Sequence, residues 1–402
     1  MSAPNRYYRA VCATIAALYY RRVDVLHRER IPARGPALYV ALHRNGAIDG
    51  VLYERVFRRA AFLVSTQLTR SCLGRLFFTG IPVTRAKDAG DRGGNREAIA
   101  RCVAELVHGG ELAVFPEGTS DLGPRHLPFK PGAARILEGA LAAGAPVSVI
   151  PAGIFYIAPE RIGSDVVVVI GEAVDTTLDP ALDAGARVRA LEHRIAAALE
   201  ALGVNVADAA ALRRIERLAR VRAGEDASTY HRALVHLQRV RLPAEIAESW
   251  CAVERAIERG ALATEWDAPV FSARGPLWSA GWLLVQAPVV AAAMACNALP
   301  LAGALVAGRR LADARNTIAL WRSLVGLPLL ALWVGALIVY AVVARAWWIP
   351  LAWLAITALG LRLWPELLAR RARLLNHRER ARALRPALER VRDWLRAEIP
   401  DA

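Results

Sequence analysis

Lysine is nearly missing from this sequence. Lys87 and Lys130 are the only two among 52 basic residues, and arginine supplies the rest of a net charge of +15. A bias so uniform reflects coding composition more than selection at each guanidinium, so arginine abundance alone carries no functional argument. Cysteine is sparse too. The five residues (Cys12, Cys72, Cys102, Cys251 and Cys296) are far apart and odd in number, with no C-x-x-C pair and no histidine at metal-ligand spacing. That pattern excludes a disulfide framework and a zinc site, and reduced thiols are expected. A cleavable leader is not expected. The apolar stretch in MSAPNRYYRAVCATIAALYYRR is about ten residues long, too short to span a bilayer, and lacks a small-residue cleavage site.

Charge is what the C-terminal third lacks. Residues 277–307 hold no charged side chain across 31 positions and residues 324–344 none across 21; after Arg345, residues 346–361 again hold none. As one helix the first block would be about 46 Å long, against a hydrocarbon core of roughly 30 Å. Pro288 and Pro300, beside Gln286 and Asn297, are therefore expected to break it into a re-entrant or tilted hairpin. The loop GRRLADARNTIALWR carries four arginines and one aspartate, and the chain from 362 onward eleven arginines and six acids. Both should face the cytoplasm, which predicts two helical hairpins, the second turning near Arg345, with three plain spans as the rival. The placement is that of a bacterial-type inner (cytoplasmic) membrane. A basic excess attracts nucleic acid or an anionic membrane surface. Here the arginines flank apolar spans and form no soluble patch with interleaved aromatics, so membrane lipids are the expected partner and nucleic acid is not.

Ahead of the membrane region, short apolar runs alternate with helical patterns. Strands are predicted at 36–42, 60–65, 111–115, 146–154 and 165–171, and helices over NREAIARCVAELVHGG and GAARILEGALAAGA. This alternation predicts an α/β domain, a mixed sheet flanked by helices, followed by a helical extension and an α-helical membrane region. The expected boundaries are an interfacial amphipathic helix at 1–29, the α/β domain at 30–185, the extension at 186–275, the membrane region at 276–364 and a basic cytoplasmic tail at 365–402. Tyr7, Tyr8, Tyr19 and Tyr20 bracket the first helix as at a headgroup layer, although a helix lying on the domain core fits equally. His231 and His236 read as ordinary residues of a basic helix.

Chemistry concentrates in four stretches. HRNGAID sets His43 and Asp49 six positions apart. If Asn45 caps a helix through AIDGVLYERV, Asp49 lies about one turn in and faces back toward His43. A neutral imidazole with a carboxylate on its other nitrogen suits proton abstraction from an alcohol. GIPVTR ends in Arg85, FPEGTS presents Glu117, Gly118 and Thr119 after a strand with Lys130 ahead of the next helix, and VIPAGI places Pro151 at a strand end.

The order HRNGAID, GIPVTR, FPEGTS, VIPAGI resembles the glycerolipid acyltransferases, the lysophosphatidic acid and glycerol-3-phosphate acyltransferases, over roughly residues 30 to 175. The His-to-Asp spacing has five intervening residues where the usual first block has four, and resembles a branch that also carries C-terminal membrane segments. The resemblance implies acyl transfer from acyl-CoA or acyl-carrier protein to a hydroxyl of glycerol 3-phosphate or its 1-acyl derivative. Such a phosphate-bearing acceptor needs fixed cations or N–H donors, which the resemblance places at Arg85 first, Lys130 second and the backbone of 118–120, while Arg44 faces either phosphate or solvent. Glu117 then orients Arg85, accepts bonds from glycerol hydroxyls, or is a turn carboxylate capping the following segment, and Pro151 shapes the acyl pocket or simply ends a strand. No metal or bound cofactor is implied, since the thioester is the co-substrate. The alternatives are a serine hydrolase acting on lipids through Ser120, and a non-catalytic membrane adaptor. GTSDLG does not match the G-x-S-x-G elbow, and the histidine precedes the serine.

Overall fold

The computed structural model describes residues 6–68, 70, 74, 77–83, 93–272 and 275–400. All five foreseen strands form, and two more join them. In chain order the sheet comprises β1 (Tyr20–Leu26), β2 (Ala37–Ala41), β3 (Ala60–Ser65), β4 (Ile81–Val83), β5 (Glu111–Val114), β6 (Ser148–Tyr156) and β7 (Ser164–Ile170). In space it runs β1-β7-β6-β2-β5-β3-β4, parallel throughout except for the antiparallel pair β6 and β7. Helices cover both faces, so β2 is buried along its whole length and reads ALYVA, without a polar alternation. Ala37, Tyr39 and Ala41 meet α1 (Arg6–Tyr19) and α2 (Ala47–Val56) on one side. Leu38, Val40 and Leu42 meet α3 (Gly93–Val107), α4 (Gly132–Ala142) and α5 (Ala184–Leu202) on the other.

The N-terminal expectation needs correcting. Residues 20–26 are the edge strand β1, paired with β7, so the sheet begins ahead of the boundary placed at 30. Its sequence, YRRVDVL, carries three charges that mask the strand pattern; Arg21 reaches the buried Asp165 of β7 through a bidentate pair, with the Nε bond at 2.9 Å. Tyr8, Cys12, Ile15, Ala16 and Tyr19 bury one face of α1 in the core, while Tyr7 is exposed. The four described cysteines, Cys12, Cys102, Cys251 and Cys296, are free thiols.

The extension folds as α6 (Ala209–Ala223), α7 (Ala227–Leu237) and α8 (Ala244–Glu258) around the fully buried Trp250, resting on Val167 and Val169 of β7. Asp183, Asp208 and Asp226 cap α5, α6 and α7 with side-chain oxygens. His231 bonds Leu202 O and His236 pairs with Glu398, both structural roles.

Four helices follow: α9 (Pro276–Cys296), α10 (Ala298–Arg310), α11 (Ile318–Val343) and α12 (Trp348–Leu375). Among the described residues three segments are long and apolar enough to cross a membrane: Pro276–Cys296, Arg315–Val343 and Trp348–Leu375. Side chains such as Leu277, Leu284, Val343 and Trp348 stand outward from them. The first block does break, but at Asn297, while Pro288 lies inside an unbroken α9 and Pro300 in the first turn of α10. The 13 residues of α10 reach only about 20 Å. Arg345 turns the chain between α11 and α12 with a left-handed φ of 51°. α12 runs on through Pro365, past the expected end of the membrane region at 364. The expected tail is also partly structured. A single turn, α13 (Glu379–Arg382), leads to α14 (Arg385–Glu398), whose Leu388, Val391 and Leu395 are buried in the core of the extension. Counting its arginines concealed that apolar stripe at helical spacing.

Candidate functional site

Adjacent parallel strands bring the first and third motifs together. Val40 of β2 lies opposite Val114 of β5, and the third residue beyond each is His43 and Glu117, at the carboxyl ends where α/β sheets build sites. Glu117 Oε1 accepts the His43 N–H at 2.9 Å and Oε2 accepts the Leu127 N–H at 3.2 Å. The Asp121 N–H closes the same junction on His43 O at 3.1 Å. Glu117 is 1% exposed, and burial raises its pKa above the usual carboxylate value while the two N–H donors oppose that rise. It clamps the backbones of His43 and Leu127 from within.

His43 and Asp49 meet as their spacing predicts. His43 Nδ1 lies 2.9 Å from Asp49 Oδ2, and Asp49 is fully buried. The same oxygen accepts the backbone N–H of Arg44 at 2.6 Å and of Asn45 at 2.8 Å, and Oδ1 accepts the Tyr156 hydroxyl. A carboxylate surrounded by donors is an acceptor only, so Nδ1 carries a hydrogen, and in the neutral ring the lone pair lies on Nε2. The His43 ring stacks on Phe115 with centroids 4.4 Å apart and planes 12° apart, which fixes its orientation. Burial, and next the charge of Asp49, lift the Tyr156 pKa well above 10, so its hydroxyl stays protonated as a donor.

Asn45 is not the helix cap. Gly46 occupies that position with φ 58°, and Asp49 reaches back to the N–H groups of 44 and 45. The Asn45 side chain instead donates to Tyr20 OH at 3.3 Å. Gly118 takes a left-handed φ of 69°, and its N–H is spent on Phe115 O, so it is not an anion donor. Lys130 lies over this turn: a Cβ on Gly118 would fall 2.6 Å from its Nζ. Thr119 is half-buried at the same turn. Pro151 lies inside β6, opposite Val40, rather than at a strand end, and its carbonyl accepts the Gly171 N–H. Arg44 Nη2 donates to Gly123 O at 2.7 Å. Arg85 lies outside the described residues.

Two partners of the site carry no local motif. Tyr156 is 107 residues from Asp49. Asn316, in the turn Arg315–Thr317 that opens α11, donates from Nδ2 to both Ser120 O and Ser120 Oγ at 2.9 Å. Its carbonyl would be 2.9 Å from a Cβ on Gly46. Beside it Arg315 pairs with Glu160 at 2.9 Å, and Arg322 donates to Glu160 O. The loop ahead of α11 is thus docked on the first and third motifs. Among the described residues no group of three or more His, Cys, Asp or Glu is placed to hold a metal ion.

Residues 22–155 match the family model described as Acyltransferase. No curated protein matches the chain. Among solved structures, the 1-acyl-sn-glycerophosphate (LPA) acyltransferase PlsC from Thermotoga maritima is similar at 19% sequence identity, covering 47% of this chain and 77% of that one, with a TM-score of 0.34.

Proposed function

We propose, from the match of residues 22–155 to the acyltransferase family model, that the protein is a membrane-bound glycerolipid acyltransferase. It moves a fatty acyl group from acyl-CoA or acyl-carrier protein to a hydroxyl of glycerol 3-phosphate or 1-acylglycerol 3-phosphate, for phospholipid synthesis. One observation carries this reading: the buried bond from His43 Nδ1 to Asp49, which leaves Nε2 without a partner among the described residues. An alcohol is too weak an acid to attack a thioester unaided. Nε2 takes its proton as the oxygen attacks the thioester carbon, Asp49 stabilises the imidazolium, and the C–S bond breaks as the tetrahedral intermediate collapses. The imidazolium returns the proton to the departing thiolate, so the dyad ends as it began.

A lipid hydrolase using Ser120 is disfavoured, because among the described residues Ser120 Oγ bonds Asn316 and no histidine that could take its proton. The three long apolar helices support membrane attachment. We place the enzyme on a bacterial-type inner membrane with its acyltransferase domain toward the cytoplasm. The test is full-length protein in detergent, given labelled acyl-CoA and a panel of glycerol 3-phosphate, dihydroxyacetone phosphate, lysophosphatidate and uncharged lysolipids. Transfer to a phosphate-bearing acceptor that His43→Ala abolishes is expected; transfer that persists in a folded His43→Ala protein, or release of free fatty acid alone, overturns the reading.

A further inference from the structure

Beside the dyad, on the carboxylate side, lies a cavity of about 110 Å³. Three elements distant in sequence supply its cations: Arg44 from the first motif, Arg213 from α6 and Arg315 from the loop ahead of α11. Arg44 Nη2 is held by Gly123 O, but Nη1 is buried without a hydrogen-bond partner among the described residues. A desolvated guanidinium N–H left unpaired is costly unless an acceptor reaches it. Among the described residues two carboxylates oppose them, Glu160, which engages Arg315, and Glu216, which lines the cavity itself; His126 lines it too.

We propose that this cavity is a phosphate-binding site formed by Arg44, Arg213 and Arg315. A phosphate monoester brings close to two negative charges and three acceptor oxygens, which suits converging guanidinium forks. The volume holds one such group with a few waters, at about 30 Å³ per water, and excludes an acyl chain. Burial raises the Glu216 pKa to about 7, so near neutrality its charge is partly withdrawn and offsets the cations less. The site is tied to the chemistry through two residues. The Arg44 N–H bonds Asp49, and Tyr156, which lines the cavity, donates to the same carboxylate. It also assigns work to the extension, whose α6 carries Arg213.

The ligand chemistry has two possible sources, the acceptor's phosphate and the 3′-phosphate of CoA. The first rests on the acyltransferase reading above. The first experiment is therefore independent of turnover: inorganic phosphate is titrated into full-length His43→Ala protein in detergent, reading protection against thermal unfolding, with chloride at equal ionic strength as control. Protection by phosphate and not chloride, weakened about tenfold by Arg213→Gln and by Arg315→Gln, is expected. Kinetics on otherwise unchanged enzyme then separate the sources. A KM rise of about tenfold in Arg213→Gln for lysophosphatidate but not monoacylglycerol identifies the acceptor. A rise for acyl-CoA but not its 3′-dephospho form identifies the donor. No protection beyond chloride, protection unchanged in both variants, or equal weakening toward phosphorylated and unphosphorylated substrates overturns the site. Inactivity of the wild-type protein overturns the acyltransferase reading and leaves the phosphate titration standing.

Discussion

The Tyr156 hydroxyl donates to Asp49 from a strand 107 residues away, inside a region closed to solvent. Asp49 therefore answers to four donors, with the His43 ring as only one of them. Tyr156→Phe removes a donor without changing shape. Turnover should fall about 3- to 10-fold with KM little changed, and stability by about 1 kcal/mol. Steady-state kinetics and thermal unfolding check both; an unchanged turnover number refutes the support role.

His43→Ala removes the base and should lower turnover by about 10² to 10⁴ while the protein stays folded. Asp49→Asn is the sharper probe. Its amide oxygen can still accept the Arg44 and Asn45 N–H groups, so the loop is kept, while the negative charge opposite the imidazolium is lost. A fall of at least about 10² in turnover with a retained melting temperature is expected; full activity would remove Asp49 from the dyad.

Gly46 and Asn316 form a joint between the first motif and the loop ahead of α11. Gly46→Ala combines a left-handed φ with a methyl 2.9 Å from the Asn316 carbonyl, and should cost about 1 to 3 kcal/mol. Asn316→Ala loses two bonds to Ser120 and should cost about 1 to 2 kcal/mol, with lower turnover. Thermal unfolding and turnover measured on both variants should move together. Wild-type values in both would show that the joint does not matter.

Glu216 sets a pH dependence. Its folded-state pKa of about 7 exceeds the ordinary value of 4.5, so between those limits the folded protein binds more protons than the unfolded chain. Stability must then decline as pH rises from about 4.5 to about 7. Because the side chain is only partly shielded, the expected loss is about 1 to 2 kcal/mol. Glu216→Gln should flatten that slope, which melting temperatures across the range will reveal; an identical slope rejects the assignment.

Much of this was readable from residue order. The alternation of β-rich and helical runs produced the sheet, and four short motifs pointed to the His43–Asp49 pair. The failures share a cause: the deciding contact partner is remote. β1 hides because its arginines are satisfied by Asp165 on a neighbouring strand. α14 hides because its apolar stripe meets Trp250 far upstream. Asn45 offered a sound capping residue, but its side chain turns to Tyr20, 25 residues back, and the helix begins at Gly46 instead. Nothing local marks Tyr156 or Asn316 as members of the site.

The docking of α14 constrains any path of the chain through a bilayer. The extension before α9, the loop between α10 and α11, and the closing helix after α12 all fasten onto one globular body. A polymer that departs from a body on one side of a sheet of lipid and returns to it must pierce that sheet an even number of times. Parity alone therefore requires that, if α11 crosses, α12 brings the chain home, and that α10, though much shorter, does the same for α9.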